Sequence, residues 1–235
     1  MKKHIKYSFA IIALLLTSLL FTQCQKDDDN EDTSVLTVDG QGNSRFNHGN
    51  LSGSLGALPL EALSNEEKSS LAFMREEEKL AHDVYVKMYD QWNIPIFNNI
   101  AQSEQTHTDA VLALIDRYDL EDPVGANGVG IFVDTALDNL YQILVPQGEA
   151  NIIEGLTVGA VIEEIDILDL VNLLDTVVDN QDIRFVYENL LKGSRNHLRA
   201  FVKNLENQNS TYTPSYLPTE LYQSIIEGQM EQGKP

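Results

Sequence analysis

Cysteine is nearly absent from this chain of 235 residues: Cys24 stands alone, so no disulfide can form within it. Basic residues are scarce as well, 16 against 36 acidic ones, for a formal net charge of −20. That balance makes nucleic acid and anionic lipid surfaces poor partners. No internal repeat and no lasting strand-like alternation appear, which argues against all-β and solenoid architectures. No glycine-rich loop is followed by a phosphate-binding lysine, and the glycines at 125, 128 and 130 belong to a connection, so no nucleotide cofactor is indicated. Ser194 and His197 share a helical segment but lack an orienting acid at an evident spacing, which leaves hydrolase chemistry without support. The longest apolar stretch, Phe9 to Phe21, is shorter than the ~20 residues a spanning helix needs.

That stretch follows Lys2, Lys3 and Lys6, the layout of an export signal. It ends at Leu20-Phe21-Thr22-Gln23-Cys24, which resembles the lipobox of bacterial lipoproteins. The resemblance implies a signal peptide over 1–23 and a lipidated Cys24 as the first mature residue; an uncleaved apolar anchor is the alternative. Several acyl chains on Cys24 would hold the protein to a bilayer without embedding it. The acidic run Gln25 to Asp32 reads as a solvated spacer. The order Cys-Gln-Lys-Asp-Asp resembles the signal that sends lipoproteins to the outer face of the outer membrane. The expected location is therefore the outer membrane, with exposure at the cell surface. Loss of residues 1–23 leaves 212 residues, 13 basic against 36 acidic, enough for one ordinary domain.

From Thr33 to about Leu60 the chain is rich in Gly, Ser and Asn without apolar period, and residues 24–57 read as a flexible arm. Ser64-Asn65-Glu66-Glu67 then has the capping-box spacing and opens a helix over about 65–90, with Leu71, Met74, Ala81, Tyr85 and Met88 on its apolar face. Asn93-Ile94-Pro95 breaks it, and a second helix follows over about 96–118. A long connection contains a short helix near 135–144, and two further helices cover about 157–178 and 183–206. Residues 207–235 form a C-terminal extension with a short helix near 221–226. Two antiparallel helix hairpins joined by one long crossover is the connectivity of ferritin-like four-helix bundles, and an all-α domain over 58–206 is expected.

Glu104 and His107 stand at i, i+3 on the face that carries Ile100, Val111 and Leu114, so a carboxylate and an imidazole point into the bundle. Buried together they need pairing or a metal. Glu78 lines up with Met74, Ala81 and Tyr85, while its neighbours Glu76 and Glu77 point more nearly to solvent, although Glu77 competes with it if the helix phase shifts by one residue. Glu163 shares a stripe with Leu156, Ala160, Ile167 and Leu170, with Glu164 the second choice. His197 lies with Leu190, Ser194 and Phe201. Singly, each of these reads first as a core histidine or an ion-paired carboxylate, ahead of a metal ligand. Their convergence from four helices favours a metal centre.

Glu78-Lys79-Leu80-Ala81-His82-Asp83-Val84-Tyr85 resembles the first metal-binding helix of ferritins, and the Glu104/His107 pair resembles the second. The ordered segments Ala101-Gln102-Ser103-Glu104-Gln105-Thr106-His107, Val158-Gly159-Ala160-Val161-Ile162-Glu163-Glu164 and Gly193-Ser194-Arg195-Asn196-His197-Leu198 resemble an uncharacterised ferritin-like family, domain of unknown function 2202. The likeness covers about 58–206. It implies metal ligation by Glu78, Glu104, His107, Glu163 and His197, with iron, as a di-iron site, or manganese as cofactor. Dinuclear bundles of this kind use six ligands, including a Glu-x-x-His from each of two helices. Here Ser194 stands where the second such Glu belongs, and Glu188 lies on roughly the opposite face of its helix. Asp166, one turn beyond Glu163, and His82, one turn beyond Glu78, are the groups placed to compensate, with Glu164 a further candidate. The resemblance implies rubrerythrin-like reduction of peroxide or dioxygen, with an electron donor not encoded in the chain. Non-catalytic metal capture and a metal-free envelope interaction module are the competing classes. The expected partners are metal ions and, through lipidated Cys24, the membrane; a homodimer is an assembly open to such a domain.

Overall fold

The computed structural model describes residues 34–232. The export signal, Cys24 and the whole acidic run Gln25 to Asp32 lie outside the described residues. Among the described residues the chain forms seven helices and one two-stranded sheet. No helix among them is long and apolar enough to cross a membrane.

Helix boundaries follow local chemistry. After β1 (Leu36–Val38), β2 (Ser44–Phe46) and α1 (His48–Ala57), the long α2 (Asn65–Trp92) opens on a complete capping box. Glu67 N–H donates to Ser64 Oγ at 3.0 Å, and Ser64 N–H donates to Glu67 Oε2 at 2.9 Å. The helix stops at Asn93, which takes a left-handed conformation with φ 52°. Pro95 restarts the chain as the first residue of α3 (Pro95–Arg117), where its missing N–H costs nothing. Asp134 caps α4 (Thr135–Gly148), Asn151 caps α5 (Ile152–Thr176), and α6 (Gln181–Asn207) and α7 (Thr219–Glu227) complete the chain.

The two-residue turn between α2 and α3 and the short turn between α5 and α6 force each pair to fold back on itself. The pairs meet through contacts of α3 with α6 and of α2 with α5, which close a ring of four helices, while α4 packs on α2 and α5. Inside the ring lie two apolar clusters. One is built around Tyr85, Phe97, Ile100, Leu156 and Phe201, the other around Leu71, Met74, Leu114, Tyr187 and Leu190. On every ring helix the chain passes from one cluster to the other across buried polar residues: Glu78 on α2, Glu104 and His107 on α3, Glu163 and Asp166 on α5, Ser194, Asn196 and His197 on α6. A polar layer thus divides the core.

The segment expected as a flexible arm is ordered from residue 34 onward. β1 and β2 pair antiparallel, Leu36 opposite Phe46 and Val38 opposite Ser44, and β2 packs on α3 and α6. Asn47 caps α1, whose Leu51 and Leu55 are buried. Composition misled because the strands span three residues each, too short for a period-two pattern, and α1 is held by two leucines rather than a continuous stripe. The C-terminal residues also dock: Glu231 accepts from Arg195 Nε at 2.7 Å and from Arg199 at 3.0 Å.

Leu51→Ala, which leaves a void under α1, is expected to cost about 2–5 kcal/mol in denaturant unfolding. An unchanged midpoint would return residues 48–57 to the status of a loose arm.

Candidate metal centre

Glu104 sits at the centre of the polar layer. Its Oε2 lies 2.8 Å from His107 Nδ1 and its Oε1 lies 2.8 Å from His197 Nδ1. The two imidazoles stack, with ring centroids 5.2 Å apart and planes 15° from parallel. Glu78 Oε2 approaches His107 Nδ1 at 3.3 Å, and Glu163 Oε2 approaches His197 Nδ1 at 3.5 Å. Ligand atoms of Glu104, His107 and His197 all fall within 4.8 Å of one another. The five residues singled out from the sequence are therefore brought together, one from α2, two from α3, one from α5 and one from α6.

These short separations are not hydrogen bonds of good direction. Both Nδ1 atoms, Glu78 Oε1, Glu104 Oε1 and Asp166 Oδ1 are buried without a hydrogen-bond partner among the described residues. Buried polar atoms are seldom left so, because each forfeits its hydration. Donor atoms that converge on shared space rather than on each other are what a cation requires, and this group of carboxylates and imidazoles can hold one. Against Glu78, Glu163 and Asp166 lies a cavity of about 10 Å³, room for an ion or a single water.

Burial by itself pushes every carboxylate here up and every imidazole down; the neighbours then decide. For Glu104 the two histidines outweigh burial and hold its carboxyl far below the usual range. Burial would lower His107, yet Glu104 and Glu78 raise it to about 9, and Glu104 with Glu163 raises His197 to about 10. Glu78 is pushed up to about 7, mainly by burial and against the pull of His107. Asp166 rises well above its usual value through burial and the charges of Glu78, Glu77 and Glu163. Without a cation the layer therefore retains protons, and a cation would replace them.

Asp166 comes to the position Ser194 leaves short of charge: the Ser194 hydroxyl contacts Asp166 Oδ2 and also lies 3.0 Å from Leu190 O. The other two groups considered for compensation do not join the layer. His82 is captured by Asp83 at 2.9 Å, and Asp83 is itself buried and held by Lys79 and by Gly130 N–H. Glu164 points away from Glu163 and accepts from the backbone N–H groups of Ser215, Tyr216 and Leu217 at 2.9, 2.5 and 3.1 Å, tying down the C-terminal strap. Glu76 and Glu77, expected nearer solvent, are both buried: the connection after α3 covers Glu76, and Glu77 lies beside the cavity with both oxygens unpartnered, so α2 turns carboxylates inward over more than one stripe.

Tyr85 donates to Glu163 Oε1 at 2.6 Å and so restrains that carboxylate. Ser44, which sequence reasoning passed over, contacts both imidazoles from the side opposite Glu104: its Oγ lies 2.8 Å from His107 Nε2 and 2.9 Å from His197 Nε2. Nothing in its Gly/Ser/Asn-rich surroundings marks it. Gly193 makes this approach possible, since a Cβ there would meet His107 Cε1 at 2.5 Å and Ser44 Oγ at 2.9 Å. The glycine just before Ser194 was the available signal.

The titrations set a pH dependence. Folded-state values of the histidines stand above their ordinary 6.5, so their stabilisation is full below about 6.5 and lost as pH rises through about 9 and 10. The raised Glu78 acts in the same sense between 4.5 and about 7. Depressed Glu104 works the other way, but only below its ordinary 4.5. The melting temperature of metal-free protein should therefore fall between pH 5 and 10, and a bound divalent cation should remove most of the decline. A flat profile for metal-free protein would contradict these assignments.

Over 179 residues the chain is 49% identical to the uncharacterized protein MJ0754 of the archaeon Methanocaldococcus jannaschii, covering 76% of this chain and 96% of that one. The crystal structure of hypothetical protein MJ0754 matches with a TM-score of 0.72 at 50% identity, over 74% of this chain and 99% of that one. The profile described as uncharacterized protein domain (DUF2202) matches residues 67–229, and the chain belongs to that family.

Proposed function

We propose that this protein is a ferritin-like metal protein that binds one or two divalent transition ions, iron or manganese, in the polar layer of its core. The observation that carries the reading is the set of buried, unpartnered donor atoms, His107 Nδ1, His197 Nδ1, Glu104 Oε1 and Glu78 Oε1, converging around Glu104. The chain's connectivity supports it: a helix pair, a long connection that includes α4, then a second pair. Hard oxygen and borderline nitrogen donors, with no thiolate among them, suit iron and manganese. Carboxylates from Glu78, Glu104, Glu163 and Asp166 match the charge of two divalent ions when both imidazoles are neutral.

In this reading Glu104 bridges between the two histidines, Glu78 and Glu163 flank it, and Asp166 takes the part that Ser194 cannot. Bound iron or manganese would supply one-electron redox chemistry toward dioxygen or peroxide. The chain's own groups do the rest. Tyr85 fixes one oxygen of Glu163, the apolar clusters on both sides exclude bulk water, and the carboxylates and imidazoles hold protons until a cation displaces them. The cavity of about 10 Å³ against Glu78, Glu163 and Asp166 has room for one water-sized species beside the carboxylates. The same enclosure supports a second reading, metal capture without turnover.

Metal analysis of purified mature protein followed by peroxide- or dioxygen-dependent oxidation of added ferrous iron separates these readings. Wild type should carry transition metal, Glu104→Ala with His107→Ala should lose it, and Asp166→Asn should reduce the number of ions bound. Metal without ferrous oxidation supports capture; a metal-free protein whose melting temperature ignores added iron contradicts both readings. We further propose that lipidated Cys24 tethers the domain to the outer membrane. Wild type should then incorporate labelled palmitate and Cys24→Ala should not, and a wild type that takes up no label would refute the tether.

A further inference from the structure

Imidazole ligates a metal only through a nitrogen that carries no hydrogen, and which nitrogen is bare depends on the hydrogen bond made by the other. Here one atom meets the second nitrogen of both rings. Ser44 Oγ lies within 2.8 and 2.9 Å of the two Nε2 atoms, and Ser44 is fully buried. A hydroxyl has one hydrogen and two lone pairs. If Ser44 donated to one ring, that ring in its neutral form would carry its hydrogen on Nδ1, facing Glu104, and would be lost as a ligand. If Ser44 accepts from both, both rings keep hydrogen on Nε2 and both Nδ1 lone pairs face the carboxylates.

We propose that Ser44 is a positioning residue that accepts from both Nε2–H groups and so presents both Nδ1 atoms to the metal. The inference rests on the metal-binding reading above. The same two hydrogen bonds serve when the rings are fully protonated and when a cation has taken their Nδ1 positions, so the hydroxyl need not turn on loading.

Residues of α3 beside its two ligands hold the serine in place. Ser44 N–H donates to Ser103 Oγ at 3.1 Å, Phe46 N–H to Thr106 Oγ1 at 3.1 Å, and Arg45 to Gln102 Oε1 at 3.0 Å. Phe46 also packs its edge against His107, with centroids 5.7 Å apart and planes at 89°. At the hairpin turn Gly42, at φ 87°, lies against α6, where a Cβ would meet Asn196 O at 2.7 Å. Strand and helix are thus fitted atom to atom around the two histidines. The hairpin lies outside residues 67–229, so the centre is completed by a segment beyond the matched family region.

Zinc, diamagnetic and free of redox chemistry, is the probe, used on the full mature chain. Nitrogen-15 NMR of the loaded wild type should show both rings bound through Nδ1 with slowly exchanging Nε2–H groups. Ser44→Ala should weaken zinc binding about 10- to 100-fold and expose both Nε2–H groups to rapid exchange, while retaining the helical circular dichroism of wild type. Wild-type zinc affinity in Ser44→Ala overturns the proposal and leaves the metal reading standing. A hydrogen on Nδ1 of either ring in loaded wild type overturns it as well, and does so even if Ser44→Ala does not fold. A wild type that binds no zinc, iron or manganese defeats the metal reading itself, and this inference with it.

Discussion

A glutamate buried between two imidazoles is the constraint on which the rest of the molecule depends. Removing one carboxylate and two rings from water costs several kcal/mol per charged group unless each finds compensation. Glu104, His107 and His197 compensate one another only in part, since their nitrogen and oxygen atoms are close without being well aligned. Surrounding carboxylates on α2 and α5 add charge of one sign. Such a layer is tolerable with protons or with a cation, and the apolar clusters above and below prevent solvent from serving instead.

The peripheral elements make sense in relation to that layer. The N-terminal hairpin supplies Ser44 and closes the gap between α3 and α6; Gly193 and Gly42 let its backbone and hydroxyl approach. The connection after α3 is fastened to α2 through Glu76, which accepts from Val133 and Asp134 N–H at 2.6 and 2.8 Å. The C-terminal strap is fastened through Glu164. Glutamates one or two positions apart differ by helix phase: Glu78 and Glu163 face the centre, while Glu76 and Glu164 hold loops in place.

Where local chemistry alone decides a feature, the amino-acid order made it legible. Ser64 and Glu67 announce the start of α2, Asn93 and Pro95 its end and the restart, and the i, i+3 spacing of Glu104 and His107 puts both on one face. Where the packing of separate elements decides, the order said less. Ser44 acquires its role only because β2 lands on α3 and α6. His82 is one turn from Glu78 yet follows Asp83, whose position depends on Lys79 and Gly130. Asp166 meets Ser194 across the α5–α6 interface, a pairing suggested by the missing carboxylate but fixed only by the packing.

Anomalous diffraction from crystals grown with manganese tests the central claim most directly. The account predicts an anomalous peak bounded by the Glu104 carboxylate and the Nδ1 atoms of His107 and His197, with Glu78 or Glu163 completing the contact. Crystals with full manganese exposure, no peak in the polar layer, and both Nδ1 atoms turned into aligned hydrogen bonds to carboxylates would contradict it.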